Sequence, residues 1–135
     1  MKLTVVGCSG SFPSADSACS SYLVEADGFR LLLDMGNGAL GELQRHCGLY
    51  DLDAIFLSHL HADHCIDMCA YFVARYYRHD GGRCAPIPVY GPEGTEQRLN
   101  LSLGLGIVHG RKLIQKNRAA SGRPAQIRQM SVREP

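Results

Sequence analysis

The segment Ser58-His59-Leu60-His61-Ala62-Asp63-His64 places three imidazoles and one carboxylate within six positions, directly after the apolar run Ala54-Ile55-Phe56-Leu57. Side chains alternate faces along a strand, so His59 and His61, at i and i+2, can aim at one point just beyond a strand end. A tight turn through Ala62 then presents Asp63 and His64 to a second point beside the first. Imidazole and carboxylate are donors that borderline divalent cations such as zinc prefer, and a loop at a strand end leaves a coordination position open to water. Six histidines in 135 residues rarely fall into such an arrangement by chance.

Two other segments extend the pattern. Leu31-Leu32-Leu33-Asp34-Met35-Gly36 ends an apolar run in an Asp-x-Gly step, and Val5-Val6-Gly7-Cys8-Ser9-Gly10-Ser11-Phe12-Pro13 is an early glycine-serine turn followed by Ser20-Ser21-Tyr22-Leu23. In this order the three motifs resemble those of the metallo-β-lactamase superfamily of hydrolases, most closely its ribonuclease Z-like branch and small cyclic-nucleotide phosphodiesterase relatives. The resemblance runs from Met1 to about Asn100. It implies an α+β fold, the N-terminal half of a four-layer αββα sandwich, with a mixed sheet and helices packed on one face. It also implies two divalent metal ions, zinc first and manganese as the alternative, with His59 and His61 holding one and Asp63 and His64 the other. Asp63 is then the catalytic residue as well, ligating one ion while orienting or deprotonating the attacking water. Asp34 matches the aspartate of the Asp-x-Gly step and is expected to fix ligand orientation by hydrogen bonds. Ser9, Ser11, Ser20 and Ser21 are expected in ordinary turn and strand-start roles, and substrate-binding residues are not assigned.

The reaction implied first is hydrolysis of a phosphodiester, in a cyclic nucleotide or other small molecule or at an RNA 3′ end. Thioester, lactone and lactam hydrolysis fit the same motif, because the same water attacks carbonyl carbon or phosphorus. A reading from another class is a truncated or frame-shifted product without catalysis. Complete members of the superfamily supply a third histidine, a bridging aspartate and a last histidine from their second half, and this chain has no clear counterpart to them. His109, after Gly106-Ile107-Val108, is the nearest candidate, while His79 and Asp80 read as a turn.

The elements that must position these groups follow from local signals. Lys2 to Val6 reads as a buried strand, and Asp27-Gly28 joins strands Ser21 to Ala26 and Phe29 to Asp34 in a hairpin. Ala39, Leu40, Leu43 and Cys47 mark a helix closed by Gly48. Ala54 to Leu57 delivers the histidine loop. A helix from about Cys65 to Tyr77 follows, with Cys65, Met68, Cys69, Phe72, Val73 and Tyr76 as its core stripe. Ile87 to Tyr90 reads as a strand, and Gly91-Pro92-Glu93-Gly94 opens a helix towards Leu101. Arg75, Arg78 and Arg83 are expected at a solvated helix end.

Composition divides the chain in two. Residues 1–103 carry seven Lys/Arg and twelve Asp/Glu, residues 104–135 carry seven Lys/Arg and one Glu, and all ten aromatics lie before residue 91. Residues 1–103 are therefore expected to form the N-terminal half of the metallo-β-lactamase-like domain. Residues 104–135 are expected to be a basic, aromatic-free tail with little to build a core. The start of the chain lacks a signal-peptide pattern, and no apolar run approaches the ~20 residues of a membrane span. A soluble, cytoplasmic protein that does not bind membranes, with its six cysteines as free thiols, is the expectation.

Overall fold

The computed structural model describes residues 1–78 and 84–104. The expectations for His79, Asp80, Arg83 and His109, and for residues 105–135 of the tail, lie outside the described residues. A single mixed sheet has strand order β1-β2-β3-β4-β5. Strands β1 (Lys2–Gly7), β2 (Ser21–Ala26) and β3 (Phe29–Leu33) form an antiparallel meander. Asp27 and Gly28, at φ 51° and 81°, supply the two left-handed residues that a tight hairpin turn requires, and Ala26 pairs with Phe29 across it. Strands β4 (Ala54–Phe56) and β5 (Val89–Tyr90) add in parallel, each after a crossover containing helix. Helix α1 (Ala39–Leu43) lies in the first crossover, and α2 (Ala62–Cys65) and α3 (Met68–Tyr76) lie in the second. Helix α4 (Thr95–Ser102) follows β5.

The strand register explains the core. Thr4, Leu23, Leu32, Ile55 and Val89 stand in one row across the sheet. Leu23, Leu32 and Ile55 in that row are fully buried, against Met35, Leu43, Leu57, Cys65, Met68 and Tyr71 from the connections. Val5, Tyr22, Leu33, Phe56 and Tyr90 make the neighbouring row on the other face. Val5, Phe56 and Tyr90 there remain 54, 44 and 41 % exposed. The mixed sheet with its core on one face is the arrangement the sequence resemblance implies.

Several local expectations change. The helix expected from Cys65 to Tyr77 is two helices, because at Asp67 the backbone N–H leaves the helical ladder and donates to Met35 O at 3.2 Å. The break resets the buried stripe to Cys65, Met68 and Tyr71, and Val73 and Tyr76 face solvent. Helix α1 stops at Leu43, where Arg45 and His46 N–H groups bond three residues back and tighten the chain, so Gly48 lies beyond its cap. Pro86 and Pro88 cannot donate to a ladder, and β5 shrinks to two residues. Arg75 and Arg78 do not simply extend into water: the Arg75 guanidinium donates to Tyr71 Oη and Ala85 O, and that of Arg78 lies 4.3 Å over the Tyr50 ring. All six cysteines are free thiols, as the sequence suggests.

Candidate metal centre

Strands β3 and β4 run parallel, with Leu33 opposite Phe56, so they end side by side. The residues just past those ends are Asp34 and the Ser58–His64 loop. Asp34 N–H still bonds Phe56 O at 2.8 Å, but its φ is 58°, left-handed geometry that is uncommon outside glycine and more often tolerated by aspartate and asparagine. That turn aims the carboxylate, almost wholly buried, at the neighbouring strand end. Oδ1 accepts Ser58 N–H at 2.7 Å, and Oδ2 accepts the Ser58 hydroxyl at 2.7 Å and His64 Nδ1 at 2.8 Å. Buried Ser21 supports the turn from below, its hydroxyl donating to Asp34 O at 2.9 Å. Asp34 thus bonds His64 directly and reaches His59 through the Ser58 hydroxyl.

Donor and acceptor counting assigns the protons. A carboxylate only accepts, so the contact with Asp34 puts a proton on His64 Nδ1, while His64 Nε2 faces Asp63 Oδ2 at 3.4 Å. Ser58 has one hydroxyl proton, and it goes to Asp34. The Ser58 oxygen can then only accept from His59 Nδ1, 3.0 Å away, which puts the proton of a neutral His59 on Nδ1. One carboxylate thus sets the tautomer of two imidazoles, the first through a direct bond and the second through a serine.

Asp63 and His64 sit on the first turn of α2 and not on a tight turn, as the spacing suggested, with Asp63 Oδ2 3.4 Å from His64 Nε2. The His59 ring lies 3.8 Å from that of His64 and 4.9 Å from that of His61, centroid to centroid. The four residues are therefore brought together at one patch, with Asp63 and His64 side chains 18 % exposed. Their rings pack on one another, and among the described residues no group of three or more His, Cys, Asp or Glu side chains is arranged to hold one ion. In kind the donors fit a borderline divalent cation. In number they make pairs, and catalytic zinc has three protein ligands.

The patch is clamped to the Asp34 turn by backbone. Met35 N–H donates to His64 O at 2.7 Å and Gly36 N–H to Ser20 O at 3.2 Å. Gly36 is the point of closest approach, since a Cβ there would lie 1.9 Å from Asp63 O and 2.6 Å from Cys19 Cβ. Asp67, after α2, accepts Leu40 N–H at 2.9 Å and ties the start of α1 to the same region. Burial pushes its carboxyl up, and the Leu40 and Gly38 amides pull it back. Ser21, Ser58 and Gly36 were not assigned supporting roles from sequence, and only the glycine of Asp-x-Gly carried a signal for one.

The five-stranded mixed sheet with this loop at the end of β4 is the metallo-β-lactamase fold, and the solved YhfI protein of that fold from Bacillus subtilis superposes with a TM-score of 0.65. That pair is 36 % identical, covering 70 % of this chain and 39 % of YhfI. The sequence matches the family described as Anti-Pycsar protein Apyc1 over residues 1–115, and the chain belongs to that family. An uncharacterized protein of Mycobacterium leprae is 47 % identical over 100 residues, covering 73 % of this chain and 34 % of the relative. Ribonuclease Z of Methanosarcina acetivorans is 30 % identical over 120 residues, covering 84 % of this chain and 38 % of the enzyme. The chain spans little more than a third of the length of these curated relatives.

The close approach at Gly36 gives a paired expectation. Gly36→Ala pushes a methyl into Asp63 backbone and should cost about 1–3 kcal/mol or more in urea unfolding. Gly41→Ala, in α1 with open space around its Cβ, should be neutral or stabilise by about 0.5–1 kcal/mol. Equal effects of the two substitutions would contradict the packing described.

Proposed function

We propose that this chain is the N-terminal half, residues 1–103, of a metal-dependent hydrolase acting on phosphodiester bonds, in a small nucleotide or at an RNA 3′ end. The observation that carries the reading is that His59, His61, Asp63 and His64 lie together at the joined ends of β3 and β4, with Asp34 bonded to His64 directly and to His59 through Ser58. The similarity to ribonuclease Z supports phosphorus as the site of attack. His59 and His61 would hold one divalent cation through neutral imidazole nitrogen, and Asp63 and His64 the second, with zinc as the natural occupant of such donors. Bound there, divalent cations lower the pKa of coordinated water towards neutrality and offset charge on the attacked and leaving oxygens. Asp63, part-buried beside His64, would take the proton of the attacking water. Asp34 holds His64 by a direct bond and His59 through Ser58, so both present nitrogen in one orientation.

The pairing of donors favours a companion statement, that the described residues make half of a centre. The remaining ligands are expected from the second half of a complete protein of this family. Catalysis then requires chain beyond the 135 residues, whereas metal recognition begins within them.

Two outcomes follow. The chain should take up zinc in a way that the double variant His59→Ala/His61→Ala abolishes, as elemental analysis after desalting will show. Unchanged zinc in the variant removes the assignment. Hydrolysis of bis(p-nitrophenyl) phosphate or cyclic AMP by the 135-residue chain should be no more than a trace with added zinc or manganese. Residues 1–100 joined to the remainder of the Mycobacterium leprae relative should be active and should lose activity on Asp63→Ala. Robust turnover by the short chain alone would show that its ligand set is already complete.

A further inference from the structure

The histidine loop is held from a second side. Leu60, between His59 and His61, accepts Arg98 Nε–H at its carbonyl at 3.2 Å. Arg98 belongs to α4, an element separate from every other group that fixes the loop. Its guanidinium is itself fixed, because Nη1–H donates to Ser102 Oγ at 3.1 Å and the Ser102 hydroxyl returns a bond to Arg98 O at 2.9 Å. The base of α4 is equally firm: Thr95 is buried and donates its hydroxyl to Pro92 O at 2.6 Å. A Cβ on Gly91 would meet Thr95 Oγ1 at 2.6 Å and Leu57 Cβ at 3.4 Å, so the start of α4 packs on the strand end that launches the loop. On the near side, the Cys65 thiol contacts His61 O at 3.2 Å and Leu60 O at 3.6 Å. Burial pushes that thiol up and keeps it a donor.

We infer that Arg98 is a positioning residue for the His59-Leu60-His61 segment, setting the spacing of the two imidazoles by pinning the carbonyl between them to α4. An arginine suits the task because its planar fork bonds two acceptors at once, Leu60 O and Ser102 Oγ, and loses little freedom in doing so. Removing it leaves Leu60 O with only the weak thiol contact and lets the loop rotate about its Asp34 anchor at Ser58. Asp34 orients the rings, and Arg98 spaces the residues that carry them. The consequence for metal affinity rests on the reading of His59 and His61 as ligands, but the consequence for loop order does not.

The full 135-residue chain, wild type and Arg98→Ala, is compared by amide hydrogen exchange and by zinc titration against a competing indicator. Ser58 and His64 amides, which close the loop, should exchange about tenfold faster in Arg98→Ala, while Leu32 in the sheet is unchanged. Zinc affinity should fall about 10- to 100-fold, with partial recovery in Arg98→Lys, which keeps one donor for Leu60 O. Ser102→Ala, which frees the guanidinium without deleting it, should give a smaller change in the same direction and serves if Arg98→Ala does not fold. Exchange that is unchanged at Ser58 and His64, or that rises equally at Leu32, overturns the inference, the latter by showing a general structural role. Wild-type chain that takes up no zinc defeats the proposed function, and the exchange comparison still decides the role of Arg98.

Discussion

The carboxylate of Asp34 is the constraint on which the candidate centre depends. It sits where two parallel strands end together and accepts three hydrogen bonds from the opposing loop, two from Ser58 and one from His64. Hydrogen bonds to an ionised acceptor are worth about 1.5–3 kcal/mol each, roughly twice those between neutral groups. That is enough to hold the aspartate in left-handed backbone geometry, which costs of order 1–3 kcal/mol. The strain is useful, because an extended Asp34 would carry its carboxylate along β3 and away from the loop.

Around this anchor the chain makes a closed set of short links. Ser21 holds the Asp34 carbonyl, Met35 holds that of His64, Gly36 lets the Asp63 backbone come within contact, and Asp67 returns to Met35. The arrangement positions backbone first and side chains second. Asp34, Met35, Cys65 and Arg98 all bond the Ser58–His64 segment, so its order comes from the fold as well as from its own sequence. The row of apolar side chains on the other sheet face, exposed at Val5, Phe56 and Tyr90, belongs to a different part of the economy of the fold and takes no share in the site.

The legible parts were those whose signals are local. The Asp27-Gly28 hairpin needs two left-handed residues in sequence, and Ala54, Ile55 and Leu57 are apolar because they are buried in the core, so both could be read directly. The His-x-His-x-Asp-His spacing and the Asp-x-Gly step identified the patch and its anchor. What stayed hidden depends on contacts between distant residues. The break between α2 and α3 arises because Met35 captures the Asp67 amide, 32 positions apart in sequence, and nothing in Ile66-Asp67 itself announces it. Ser58 reads as a strand-end serine until Asp34 is seen beside it. Arg98, in a helix with no apolar stripe to single it out, acquires meaning only when α4 is placed against Leu57 and Leu60. The donor geometry is the remaining shortfall: spacing suggested two chelating pairs, and the rings instead pack against one another.

Through Asp34, one carboxylate places the Nδ1 protons of two imidazoles. Long-range proton–nitrogen correlation spectra of the metal-free chain, labelled with ¹⁵N and recorded where the histidines are neutral, report each ring tautomer directly. His59 and His64 should both carry the proton on Nδ1, with Nε2 unprotonated, and Asp34→Asn should disturb both rings. A proton on Nε2 of either histidine in the wild-type chain, or a His59 ring indifferent to Asp34→Asn, would contradict that placement.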